Sequence, residues 1–404
     1  MKNLAKIGLG VLTSIGGFLE AGSIGTALEA GAAFRFQLLW ALALGVICVA
    51  FLTEMTGRLA AVSGRTVVDA MRKRFGFRVH AWPLGAQVVL NLFVLASEIG
   101  GASFALQMAT GVSMSIWALP VTAGIWIVLW RARFGQIEHS MAALGLVTLC
   151  FVVAAVRLHP DWTKAAVGLL PAVPADQPAH YAYLAVSIIG ASVSPYLVTF
   201  YSSGAVEEKW TTKDLMPNRI VAAIGMGFGS AVAAAVMIVA AVVIAPRTAH
   251  LTSFDQAAGV LVPALGRAGF WLFCASLFIG CVGAAFELAL DLGYNVAQSM
   301  GWEWSESRKQ WTEVRFSLVY TGALAVAVLP SLFAVNPFQL TLLSMALTAL
   351  ALPLVIGPLL IVMNDQTYLK QHTNGLISNT AVAAIAILTL VLALVAVPLQ
   401  IAGG

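Results

Sequence analysis

The sequence predicts an all-α integral membrane protein of eleven transmembrane helices, built as two five-helix halves of opposite orientation plus one further helix. Three observations predict it. Of the 404 residues, 60% are hydrophobic and only 10% charged, with a mean hydropathy of +0.90; a soluble domain carries about 25% charge. Eleven segments of roughly 20 or more residues are almost free of charge, as bilayer-spanning helices require. Lysine and arginine collect in alternate connections, the asymmetry that orients helices in a membrane. A soluble enzyme, a nucleic-acid reader and a disulfide scaffold are excluded.

The spans fall at 6–33, 37–63, 83–109, 112–131, 138–158, 180–206, 219–245, 267–299, 313–333, 336–363 and 377–402. The first follows Lys2 and Lys6 like a signal peptide, yet it holds Glu20 and Glu29 and lacks a cleavage site, so it is kept as a span. The second is followed by the run Arg72-Lys73-Arg74, a topology determinant on a cytoplasmic loop. Trp117, Trp126 and Trp130 in the fourth fit an interfacial belt. After the fifth, the segment 159–179 carries Pro160, Pro171, Pro174 and Pro178 and reads as an exposed, irregular connection. With these boundaries, seventeen of the 22 Lys/Arg residues lie on one side and five on the other. The N-terminus is therefore expected in the cytoplasm and the C-terminus outside. Residues 1–158 form the first five-span repeat, 159–179 the outer loop, 180–363 the second repeat, and 364–404 a linker with the extra span. An odd number of spans per repeat inverts the second repeat relative to the first, an arrangement of secondary transporters.

In such folds the transport site lies where one helix in each half is interrupted. Both interruptions are present. The first span contains Gly16-Gly17-Phe18-Leu19-Glu20-Ala21-Gly22-Ser23-Ile24-Gly25, four glycines and a glutamate in ten residues. The sixth contains Ile188-Ile189-Gly190-Ala191-Ser192-Val193-Ser194-Pro195-Tyr196, where Pro195 lacks an N–H and frees the carbonyl of Ala191. Free carbonyls survive at membrane depth only inside protein or against a water-filled cavity.

These residues resemble the NRAMP family of proton-coupled divalent-metal transporters, over nearly the whole chain. Leu19-Glu20-Ala21-Gly22-Ser23 falls where the family carries Asp-Pro-Gly-Asn, followed by Leu28-Glu29-Ala30-Gly31-Ala32. Further matches are Arg58-Leu59 through Ser63-Gly64-Arg65, Gly190-Ala191-Ser192-Val193-Ser194-Pro195, and Leu352-Pro353 to Pro358-Leu359. The resemblance implies a LeuT-type fold with 5 + 5 inverted repeats. It implies a metal shell at Glu20, Ser23, Ser194 and the Ala191 carbonyl, where the family uses Asp, Asn, Met and carbonyls. The family's His after the sixth-span proline is Tyr196, and its polar residue in the tenth span is Met345. Every side-chain ligand differs, and the family's thioether is lost from its position. One carboxylate, two hydroxyls and carbonyls form an oxygen shell suited to magnesium or manganese. A small organic solute is the alternative, its amine near Glu20 and its carboxylate at half-helix N-termini.

Glu98, mid-way along the third span, matches an acid of the family's proton route, with Glu54 a second candidate. Glu287 and Asp291 lie four apart on one face of the eighth span, placed to bind a cation, share a proton or face an inner vestibule. Cys48, Cys150, Cys274 and Cys281 sit in apolar runs and read as packing residues. No Gly-rich nucleotide-binding loop is present, which argues against ATP-driven transport. The expectation is a monomeric secondary transporter of the bacterial inner membrane, not an enzyme. Its partners are lipid and a transported cation or small solute, with no cofactor beyond that substrate and no nucleic acid.

Overall fold

The computed structural model describes residues 20–131, 140–141, 143–172, 174, 177–248, 250–305 and 313–401, and among these every regular element is helical. The main helices are α1 (Ala21–Phe34), α2 (Leu39–Ser63), α3 (Val67–Phe75), α4 (Phe77–Thr110), α5 (Met114–Arg131), α6 (Leu149–Arg157), α7 (Pro178–Ser192), α8 (Pro195–Glu207), α9 (Met226–Val243), α10 (Ala268–Met300), α11 (Val314–Ala327), α12 (Pro337–Met363) and α13 (Leu376–Ile401). Nine helical stretches among the described residues are long and apolar enough to cross a membrane, and each coincides with an expected span. The fifth expected span appears as a shorter apolar helix, Ala143–Arg157. The first is seen from Glu20 onward, and its earlier part lies outside the described residues.

Two starts differ: the seventh span, expected from residue 219, lies in a helical stretch that begins at Thr212, and the third also begins early. The third span was expected from residue 83, but α4 begins at Phe77 with Pro83 inside it. Proline near a helix start removes a single backbone bond, and a membrane helix re-satisfies the freed carbonyl locally.

α1 lies at the centre, against α4, α7, α9 and α12, while α10 runs along α4. Packing in lipid depends on close approach of backbones rather than on hydrophobic exclusion. Gly31 shows why: a Cβ there would lie 2.4 Å from the Met237 carbonyl oxygen of α9. On the outside of the bundle α13 exposes Ile387, Val391, Leu394 and Val395, a face matched to lipid tails. Three of the basic residues expected on one side bond to neighbouring polar groups. Arg58 bonds to Asn374 Oδ1 at 2.7 Å, Arg74 to Asp365 at 2.9 Å and Arg219 to Glu54 at 3.5 Å.

Candidate functional site

The interruption of the sixth span is a break between two helices, and at the first interruption a helix starts directly after Glu20. Glu20 is extended (φ −108°, ψ 175°) and precedes α1 without using its side chain as a cap. α7 ends at Ser192 and α8 starts at Pro195, with Val193 and Ser194 outside helical geometry. The Ala191 carbonyl therefore has no N–H four residues on to bond with. The positive ends of α1 and α8 and the negative end of α7 fall at these two points, the fields that hold a carboxylate and a cation side by side.

Side chains tie the two points together. Tyr196 Oη donates to Glu20 Oε2 at 2.7 Å. The first amide of α1, Ala21 N, donates to Glu98 Oε2 at 3.0 Å, so this second carboxylate sits next to Glu20. Glu20 Oε1 is buried without a hydrogen-bond partner. A Cβ built on Gly22 would lie 2.6 Å from Met345 Sδ and 3.1 Å from Glu20 Oε1. The thioether and the unpartnered oxygen thus converge above the same glycine. On the other side of Met345, a Cβ on Gly190 would lie 2.1 Å from the Met345 carbonyl oxygen, so α7 crosses α12 at backbone contact. Met345 thus lies between Gly22 of α1 and Gly190 of α7. Ser23 and Ser194 are buried, and Ser194 Oγ donates to the Gly190 carbonyl at 3.3 Å. Among the described residues, no lysine or arginine pairs with Glu20 or Glu98, and each carboxylate lies in the field of the other.

The structure thus brings together Glu20, Tyr196, Glu98 and Met345, while the Ser194 hydroxyl bonds back to Gly190 of α7. It changes one element of the sequence reading. Sulfur is absent from the position the family uses, but α12 supplies a thioether from another direction. Cys281, read as a packing residue, lies beside the Glu98 carboxylate and against Gly101, where a Cβ would be 2.7 Å from its Sγ. No signal in the sequence pairs those two helices at that register.

Two candidates fall elsewhere. Glu54 bonds to Arg58 at 3.0 Å and lies 3.5 Å from Arg219, while Asn218 Nδ2 donates to its carbonyl at 2.9 Å. Arg58 also reaches the His372 carbonyl. This is a clamp between α2 and the segment before α13, not a continuation of the Glu98 cluster. Asp291 is completely buried and accepts from Thr199 Oγ1 at 2.6 Å, Asn91 Nδ2 at 2.7 Å and Asn295 Nδ2 at 2.7 Å. Glu287, one turn earlier, is half-buried and within electrostatic range of Tyr196. The two acids share a helix face, as expected, yet belong to different surroundings. The amides that hold Asp291 come from α4 and α10 itself, a polar cluster that the apolar runs around it concealed.

The model of the Nramp family, natural resistance-associated macrophage protein-like, matches residues 10–398. The chain belongs to the Nramp family. Among Nramp relatives, the divalent metal cation transporter MntH of Pectobacterium carotovorum is 23% identical over 383 residues, covering 92% of this chain and 89% of that protein. MntH of Brucella suis is 26% identical over 278 residues, covering 66% of this chain but only 60% of its own length. Of solved structures, a variant of the Eremococcus coleocola manganese transporter superposes with a TM-score of 0.81 at 20% identity, covering 99% of this chain and 87% of the other. MhsT in complex with L-phenylalanine superposes with a TM-score of 0.64 at 15% identity, covering 96% and 97%. The architecture of this Nramp chain is the LeuT-type fold, with its sixth span broken between α7 and α8.

Proposed function

We propose that this Nramp-family protein is a secondary transporter that moves a divalent metal cation, manganese in preference to magnesium, by alternating access with coupled protons. The observation that carries the reading is Glu20 Oε1: buried, without a partner, and beside the same glycine as the Met345 thioether. A buried carboxylate oxygen left unpaired costs several kcal/mol unless a cation or a proton joins it. Glu20, the Met345 sulfur, the Ala191 carbonyl and the Ser23 and Ser194 hydroxyls make a mixed shell in which sulfur favours a transition metal over magnesium or calcium. The relatives named as divalent metal cation transporters support the same class of substrate.

Glu98 has the position for the proton. It touches the amide that starts α1, adjacent to the metal ligand, so a charge change at Glu20 is felt there directly. The organic-solute reading loses support, since Met345 fills the space above Gly22 that a solute's amine requires.

The experiment is manganese binding to the purified full chain by calorimetry, with uptake into proteoliposomes. Wild type is expected to bind saturably, with affinity that falls on acidification because a ligand carboxylate must be deprotonated. Glu20→Gln keeps shape and removes charge, and is expected to weaken binding at least a hundredfold while the protein still folds. Unchanged manganese affinity in that variant overturns the site. Glu98→Gln is expected to retain binding but abolish the acidification that accompanies uptake.

A further inference from the structure

Glu29 lies nine residues beyond Glu20 on α1, about 13 Å along the helix axis at 1.5 Å per residue. It is buried, and its Oε2 accepts from Leu251 N at 2.6 Å. Its other oxygen, Oε1, faces two imidazoles: His180 Nε2 at 3.3 Å, from the first turn of α7, and His250 Nδ1 at 3.4 Å, from the connection between α9 and α10. Among the described residues, no lysine or arginine pairs with Glu29.

Both separations are long for an N–H···O hydrogen bond, which centres near 2.9–3.0 Å. They fit a second geometry as well. Ligands about 2.0–2.1 Å from a tetrahedral metal stand roughly 3.3–3.4 Å from one another. The three donor atoms all lie within 4.8 Å of each other. The remaining nitrogen–nitrogen edge closes by rotation of His250, whose side chain is 43% exposed.

The second ring nitrogens each face a side-chain amide, the kind of outer partner a metal-binding histidine has, at separations as long as those to Glu29. His180 Nδ1 is 3.4 Å from Gln400 Oε1, which directs its Nε2 lone pair at the cluster. His250 Nε2 is 3.3 Å from the Gln177 amide, whose oxygen and nitrogen exchange places by a half-turn.

We propose that Glu29, His180 and His250 form a second binding site, for a divalent transition-metal ion, at the end of the bundle that the charge distribution assigns to the outside. Two imidazoles and one carboxylate suit zinc, iron, cobalt or manganese and reject magnesium and calcium, which take oxygen ligands. One carboxylate and neutral imidazoles leave open coordination positions for water, so the ion exchanges rather than being locked in a structural cage. The site shares α1 with Glu20 but no ligand, and stands whether or not Glu20 binds metal. Its place on α1 makes it a capture point that sorts transition metals from the abundant hard ions before they reach the inner shell.

Cobalt(II) is the probe, because four-coordinate nitrogen–oxygen sites give it visible absorption far stronger than the aqueous ion. The full chain, freed of any affinity tag and carrying Glu20→Gln to silence the inner site, is titrated with cobalt in detergent. The expected result is one saturable equivalent with intensified absorption, undisplaced by a large excess of magnesium. His250→Gln, at an exposed position that leaves the bundle intact, is expected to weaken cobalt binding at least tenfold and remove the intensified bands. Glu29→Gln, which keeps shape, is expected to do the same. Cobalt affinity and spectrum unchanged in both variants overturn the proposal, as does the lack of any saturable binding in the Glu20→Gln protein. Failure of the inner site reads differently: Glu20→Gln then binds as many ions as wild type.

Discussion

The Tyr196 hydroxyl, on the second residue of α8, donates a 2.7 Å hydrogen bond to Glu20 Oε2, on the residue before α1. One bond thus joins the start of α1 to the start of α8, and it leaves Oε1 of that carboxylate without a partner. The same contact fixes where the carboxylate points. Tyr196→Phe keeps the ring and removes the donor. Hydrogen bonds to charged groups contribute roughly 1.5–3 kcal/mol, and about 1.4 kcal/mol is tenfold in affinity. Manganese binding by calorimetry is expected to weaken about tenfold, with folding intact. Wild-type affinity would mean that Oε1 is oriented without help from α8.

Met345→Leu removes sulfur at nearly constant volume, a swap that cores tolerate at under about 1.5 kcal/mol. Competition binding is expected to show the manganese-over-magnesium and cadmium-over-magnesium ratios falling several-fold, with magnesium affinity little changed. Equal losses for all three ions would show that the residue acts by packing alone.

Gly190→Ala puts a Cβ 2.1 Å from the Met345 carbonyl oxygen. That contact is backbone, so no side-chain rotation relieves it. Forcing extra bulk into a tight contact costs typically 1–3 kcal/mol. The apparent unfolding temperature of the purified protein is expected to drop by several degrees, and manganese binding to weaken with it, because the shift also moves Met345. An unaltered melting curve would put α7 and α12 further apart than this.

The charge asymmetry carries a topological expectation. A reporter active only in the cytoplasm is expected to be active when fused into the loop at Lys213 and inactive when fused after Gly404. The reverse pattern would invert the assignment, and matching activity at both sites would change the span count.

The amino-acid sequence by itself determined that this chain is an all-helical membrane protein, because apolar runs and basic loops are local properties that lipid reads one segment at a time. It also marked the break before Pro195 and the helix start after Glu20, since glycine and proline act on their own backbone. It exposed Glu98 as a candidate, because a carboxylate in an apolar run is conspicuous. What only the tertiary structure decided is which of these groups meet. Whether a side chain on one helix reaches another depends on the rotation and depth of each helix, which no local pattern sets. So Met345 proved to bring sulfur to Glu20 from α12, Glu54 joined Arg58 and Arg219, and Asp291 was enclosed by Asn91, Thr199 and Asn295. His180 and His250 are 70 residues apart in the chain, and neither signals anything alone. They share an oxygen of Glu29 because α7 packs against α1 and the connection before α10 folds over both. Close packing of rigid helices, fixed by small residues at their crossings, is what turned separate local features into sites.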